Sequence, residues 1–232
     1  MNHRALSRCA APQSTRGARL RLFAAAALIA SLAAPFAGPA RSADAAAFNA
    51  AIVESQRANS GIESAVESAA ERFGALASAT PGDPVVLAYS GAATALRART
   101  TMLPWKKMSF AEDGLAQIDK ALALLNAAHD APLYRDTPAS LETRFTAASV
   151  FLALPGMFNR HARGAKLLDE VLASPMLSSA PLPFRGAVWL RAGVEASADK
   201  RTEDARRLLQ QVLNSGAPQA EQAQAKLKEL AS

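Results

Sequence analysis

Four stretches of the chain repeat one arrangement: a small residue, a large apolar residue four positions later, and a further apolar or small residue three after that. They are Ala69-Phe73-Leu76, Gly114-Ile118-Ala121, Gly164-Leu168-Val171 and Ala205-Leu209-Val212. Steps of four and three return to one face of an α-helix. The small residue at the head of each triplet lets a neighbouring helix approach closely. A chain built on this pattern must fold as helices packed on helices. The clearest copy lies in Ser109–Leu125, SFAEDGLAQIDKALALL. Ser109 fits an N-cap, and Glu112 follows at the spacing of a capping box. Glu112 and Asp113 place negative charge at the positive end of the helix dipole. Leu115, Ile118, Leu122 and Leu125 line one face. Gly114 costs roughly 1 kcal/mol of helix propensity relative to Ala, which close packing at that point would offset.

The rest of the chain reads in the same way. Helices are expected over 45–59, with Phe48, Ile52 and Val53 inward, over 62–78, over 85–99, and from Ser109 to about 128. Pro81-Gly82-Asp83-Pro84 is a strong stop and turn. Thr100–Met108 reads as a loop, and His129–Thr137 as a connector rich in Asp and Pro. Thr137 fits an N-cap with Pro138 at the first helical position, for a helix to Leu154. Asn159 and Thr202 fit caps for helices to Ser174 and Asn214, with another helix over 183–198 between them and a polar final helix over 218–231. No segment alternates with a period of two, so no sheet is expected. The fold class is therefore all-α: antiparallel helix pairs at about 46–79, 83–128, 138–174 and 183–214, with a capping helix at 218–231.

Three of the triplets are followed by proline, at Pro81, Pro175 and Pro218. Some first helices carry Leu, Gly and aromatic residues in the expected places, as in Leu87, Tyr89 and Gly91. In these features residues 46–231 resemble tetratricopeptide-repeat proteins, of an exported bacterial type. The unit starts lie 45, 50 and 41 positions apart, longer than the roughly 34 of that family; the excess falls in loops around Pro104, Pro132 and Pro181. The resemblance implies a right-handed α-solenoid that holds a peptide or protein partner, with the polar last helix shielding the open end. A generic bundle of amphipathic helices is the plainer reading, because Ala-rich helices imitate the triplet easily.

The formal charge of +6 suggests nucleic acid, but its distribution removes that suggestion. Residues 1–45 hold six of the 26 basic side chains and one of the 20 acidic ones, leaving 20 against 19 in the remainder. That leader has a basic start, the apolar run Leu22–Ala34, then Pro35 and small residues, the plan of a secretory signal peptide. The run is short of the ~20 apolar residues a membrane span needs. Export to the periplasm is expected, with cleavage at about 37–45; the alternative is an uncleaved anchor. The single cysteine, Cys9, precedes the apolar run, so it is no lipobox cysteine, and the mature chain would have neither disulfide nor thiolate metal site.

No catalytic constellation is present. His129 and His161 lie apart, without zinc spacing, and there is no nucleophile elbow or phosphate loop. Glu63, Glu67 and Glu71 read as a solvated stripe. The chain is expected to be a binding module, not an enzyme, with no cofactor and no metal. Its function is expected to be that of an interaction module or adaptor binding a protein or peptide partner in a cell-envelope process, without nucleic acid. A self-associating envelope scaffold, or a non-catalytic subunit of an enzyme or transport complex, are the alternatives. The loops within pairs collect Arg57, Arg97, Arg99, Lys106, Lys107, Arg160, His161, Arg163, Lys200 and Arg201, while those between pairs carry Asp83, Asp130 and Asp136. Such a basic edge would attract acidic peptides or anionic lipid headgroups. Trp105, Lys106, Lys107, Phe158, Arg160 and His161 are the candidate partner-binding residues. Trp105 either folds back to plug its hairpin, the commoner fate of a loop tryptophan, or joins a recognition surface.

Overall fold

The computed structural model describes residues 38–231, with side chains from 44 onward. The apolar run of the expected leader and Cys9 lie outside the described residues, while its last part, 38–45, forms the first two turns of α1. Among those described, the chain forms nine α-helices and no strand: α1 (Gly38–Asn59), α2 (Glu63–Ala79), α3 (Pro84–Leu96), α4 (Pro104–Ala123), α5 (Ala139–Ala153), α6 (His161–Ala173), α7 (Leu182–Ala198), α8 (Thr202–Ser215) and α9 (Ala220–Glu229). Each of α1 to α8 packs most extensively on its neighbour in a pair: α1 with α2, α3 with α4, α5 with α6, and α7 with α8. No described helix is long and apolar enough to cross a membrane.

The triplets lie at the seams of these pairs. Gly91 on α3 faces Gly114 on α4 so closely that a Cβ on Gly91 would fall 2.6 Å from the Gly114 carbonyl oxygen. A Cβ on Gly114 would fall 2.5 Å from the Gly91 carbonyl oxygen. Gly164 on α6 sits in the same way against Phe151 and Leu152 of α5, and Gly193 on α7 against Leu209 of α8. Around these contacts lie three main cores. Phe48, Phe73, Val85 and Val86 join α1, α2 and α3. Ile118, Leu141, Phe151, Leu168, Val171 and Val188 join α4 to α7. Leu209, Val212, Ala217 and Ala223 join α8 and α9.

Some boundaries differ from the sequence reading, each for a local reason. Asp83, read only as a turn residue, is the N-cap of α3: its Oδ1 accepts from the backbone N–H of Val85 at 2.9 Å and of Val86 at 3.1 Å, with Pro84 at the first helical position. Ser109 is not a cap. Helix α4 begins five residues earlier, at Pro104, whose fixed φ suits a first helical position. Trp105, Lys106 and Lys107 are thus helical rather than in a loop. Ser109 instead donates to Asp113 at 3.2 Å within the helix. Asn159 adopts the left-handed conformation, φ 51°, and ends a 3-10 turn at Gly156–Phe158. Neither α5, α6 nor α8 has a side-chain cap. Val53 points outward, at 52% exposure, while Phe48 and Ile52 are buried as expected.

The connector between α4 and α5 is tied down along its length. Asp130 accepts from Ser140 Oγ at 2.6 Å. Tyr134 donates to Asp83 Oδ2 at 2.6 Å and stacks on Phe48 with ring centroids 4.3 Å apart. Through this connector the Arg135 guanidinium reaches the interior between α3 and α5.

Candidate functional site

The first helices of three successive pairs, α1, α3 and α5, form the walls of a groove of about 770 Å³. Ile52 and Ser55 come from α1, Ala92 and Leu96 from α3, and Phe145 and Val150 from α5. Pro104, Lys107 and Met108 on α4 and Met157 and Phe158 in the turn after α5 form its rim. Apolar side chains dominate, as in most ligand and peptide clefts. The only charged side chains on the lining are Arg99, Lys107 and Arg135. No acidic residue lines it. A second, open depression of about 650 Å³ lies on the polar face of α8, beside Trp189. Its charges are paired locally, as Arg206 is with Glu203 at 3.3 Å, and it has no apolar floor to drive binding.

At one end of the groove stands a buried polar triad. Tyr89 on α3 donates to Glu142 Oε1 on α5 at 3.0 Å. Arg135 donates to the Tyr89 oxygen at 2.6 Å and to the same Glu142 oxygen. Glu142 is 1% exposed. The Arg135 side chain remains 34% exposed, so it covers the carboxylate from the solvent side. Tyr89 is held further by Phe48, edge-on at 5.5 Å, and by Phe73, stacked at 5.2 Å. A carboxylate this deep must be paired, and Arg135 and Tyr89 supply the pairing.

Burial pushes the Tyr89 phenol well above its ordinary value of 10, and the negative charge of Glu142 adds to the rise. Burial, then the bond to Asp83 and that carboxylate's charge, push Tyr134 up as well. These are the two tyrosines of the chain. A phenol whose folded value is raised stabilises the fold below its unfolded value, and that stability is lost as pH climbs from about 10 toward the folded value. We therefore expect little tyrosinate absorbance near pH 10 while the protein is folded. On further alkalinisation both tyrosines should ionise together with loss of helical circular dichroism. Titration of either phenol near pH 10 with helicity intact would contradict this.

The structure divides the six candidate residues predicted from sequence. Lys107 and Phe158 share the groove rim. Trp105 and Lys106 lie on the first turn of α4, outside the groove lining. Trp105 does not plug the hairpin; its side chain is 67% exposed, because the early helix start at Pro104 holds it at the tip of α4. Arg160 is turned toward α4, where it pairs with Asp119 at 2.8 Å. His161 lies within 2.6 Å of Glu195 on α7.

The expected basic edge is largely neutralised. Arg57 pairs with Glu54, Arg97 with Glu67, Arg163 with Asp119, and Arg201 with Asp199 and Asp204. Exposed pairs of this kind contribute about 0–1 kcal/mol each, but they cancel the field. His129 accepts through Nδ1 from the Asn126 backbone N–H at 3.1 Å, a capping role. No cluster of three His, Cys, Asp or Glu suited to a metal occurs among the described residues.

Sequence reading missed Arg135 and Glu142. The available signal was Glu142 itself, a charge directly after Leu141 in the first turns of a helix whose neighbours are apolar or small. No family model matches the chain, and neither a curated protein nor a solved structure is significantly similar to it.

Proposed function

We propose that this protein is an exported, periplasmic, non-catalytic adaptor that holds an apolar segment of a protein partner during a cell-envelope process. In this reading the helix pairs form a tetratricopeptide-like right-handed solenoid closed by α9, and the groove between α1, α3 and α5 is its concave face. The observation that carries it is that groove: about 770 Å³, walled by the first helices of three consecutive pairs, mostly apolar, with no acidic side chain and three basic ones on its lining. An amphipathic segment laid into such a groove buries its apolar face and leaves its polar face in water. Export rests on the composition of the leader.

Site-specific photocrosslinking in cells tests the reading. A photoreactive residue at Ala92, on the groove wall, is expected to give an adduct of one discrete size. The same residue at Glu71, exposed on α2, should give none. Ala153→Trp fills the groove from an exposed position and should abolish the Ala92 adduct. If Ala92 gives no adduct, or one that Ala153→Trp leaves unchanged, the groove is not the partner site.

A further inference from the structure

The tip of α4 carries apolar side chains the groove does not use, beside Arg99 and Lys107 at the groove rim. Met102 is 86% exposed, Trp105 67% and Leu103 38%, and Met157 across the groove mouth is 71% exposed. Single exposed apolar residues are ordinary. Here three fall within four consecutive positions, and none of those three lines the groove. The charge around them has one sign. Between Asp83 and Glu112 the chain carries Arg97, Arg99, Lys106 and Lys107 and no acidic residue. Arg97 is engaged with Glu67 at 2.8 Å and lies over the Phe110 ring at 4.2 Å. Arg99, Lys106 and Lys107 form no ion pair among the described residues, unlike most of the basic side chains near the other turns.

From this we infer that the tip of α4 docks on an anionic phospholipid surface, with Met102, Leu103 and Trp105 entering the headgroup–acyl boundary and Arg99, Lys106 and Lys107 meeting the lipid phosphates. Tryptophan favours that boundary because its ring is apolar and its N–H polar. Basic side chains near an anionic surface add attraction that salt screens. An apolar tip this exposed buries most against a partner that yields to its shape. A fluid bilayer yields; a folded acidic protein would have to supply a matching pocket. The inference does not depend on what the groove holds.

The test uses full-length protein carrying Trp189→Phe, so that Trp105 is the only tryptophan. Its emission is followed with phosphatidylglycerol vesicles, phosphatidylcholine vesicles, and phosphatidylglycerol vesicles doped with a lipid brominated in its acyl chains. A blue shift and quenching by the brominated lipid are expected with anionic vesicles and not with neutral ones. The apparent affinity should fall on adding salt. Lys106→Glu with Lys107→Glu should weaken it at least about tenfold, while Lys106→Arg with Lys107→Arg keeps it. The substituted side chains are exposed, so the variants should keep the parent's helical circular dichroism. Because every variant carries the same leader, sedimentation alone is not the readout; Trp105 emission is. An unshifted, unquenched Trp105 on anionic vesicles overturns the inference, as does an equal response to neutral vesicles. A response to soluble polyglutamate but not to vesicles would assign the tip to acidic protein instead, and equally overturns it.

Discussion

Gly114→Ala is expected to lower the stability of the protein by about 2 kcal/mol, although it replaces the second-worst helix former with the best one. The added methyl would lie 2.5 Å from the Gly91 carbonyl oxygen and 2.8 Å from the Ala95 backbone nitrogen. Overpacking a sound core costs about 1–3 kcal/mol. A collision with backbone belongs at the upper end, since no side chain can rotate away. The gain in propensity, roughly 1 kcal/mol, offsets only part of it. Gly74, on α2, is the control: nothing lies within 4 Å of a Cβ built there. Gly74→Ala should stabilise by up to about 1 kcal/mol. Gly91→Ala should cost about as much as Gly114→Ala, and the two together less than their sum, because one separation of α3 from α4 relieves both collisions. Denaturation midpoints of the four variants check this. Equal gains at Gly74 and Gly114 would mean that α3 and α4 are not in backbone contact.

Arg135→Met should cost more, about 3–5 kcal/mol, the usual loss when one member of a buried ion pair is removed. Glu142 would stay at the position where it is now 1% exposed, with only the Tyr89 hydroxyl as donor. Removing the carboxylate instead is milder, since the Arg135 side chain already has 34% of its surface in solvent and can turn outward. Arg135→Met combined with Glu142→Leu should recover most of the loss, because the desolvation cost of the charge disappears with the charge. Urea unfolding at neutral pH measures all three. A double variant no more stable than Arg135→Met would show that the guanidinium holds the connector by packing, not by charge.

The sequence carried the helices and their seams, because both are written at short range. Steps of three and four mark a buried face, and Gly or Ala at the head of each triplet marks where another helix comes close. Phe73, Ile118, Leu168 and Leu209 are buried as that reasoning requires. Helix starts were less legible. At Pro104 two rules competed, proline as breaker and proline as first helical residue, and the breaker reading moved Trp105 and Lys107 into a loop they do not occupy. The groove and the triad were harder still. The groove exists because α1, α3 and α5 lie side by side, and no local pattern states that. The triad joins positions 53 and 46 residues apart in sequence, Tyr89 with Glu142 and Tyr89 with Arg135. It depends on a connector fixed by Asp83, Phe48 and Ser140, which are far from one another along the chain.

The groove lining ends at Phe158. The fourth pair enters the preceding core through Val188, Ala192 and Leu208, and with α9 it builds a second one that shares Trp189. On the proposed reading, the side chains that meet a partner come from the first three pairs, and the carboxyl-terminal part acts on the groove through the shared core. A change in that core is therefore felt at both ends of the stack, while a change on the outer face of α8 or α9 is felt at neither the groove nor its walls.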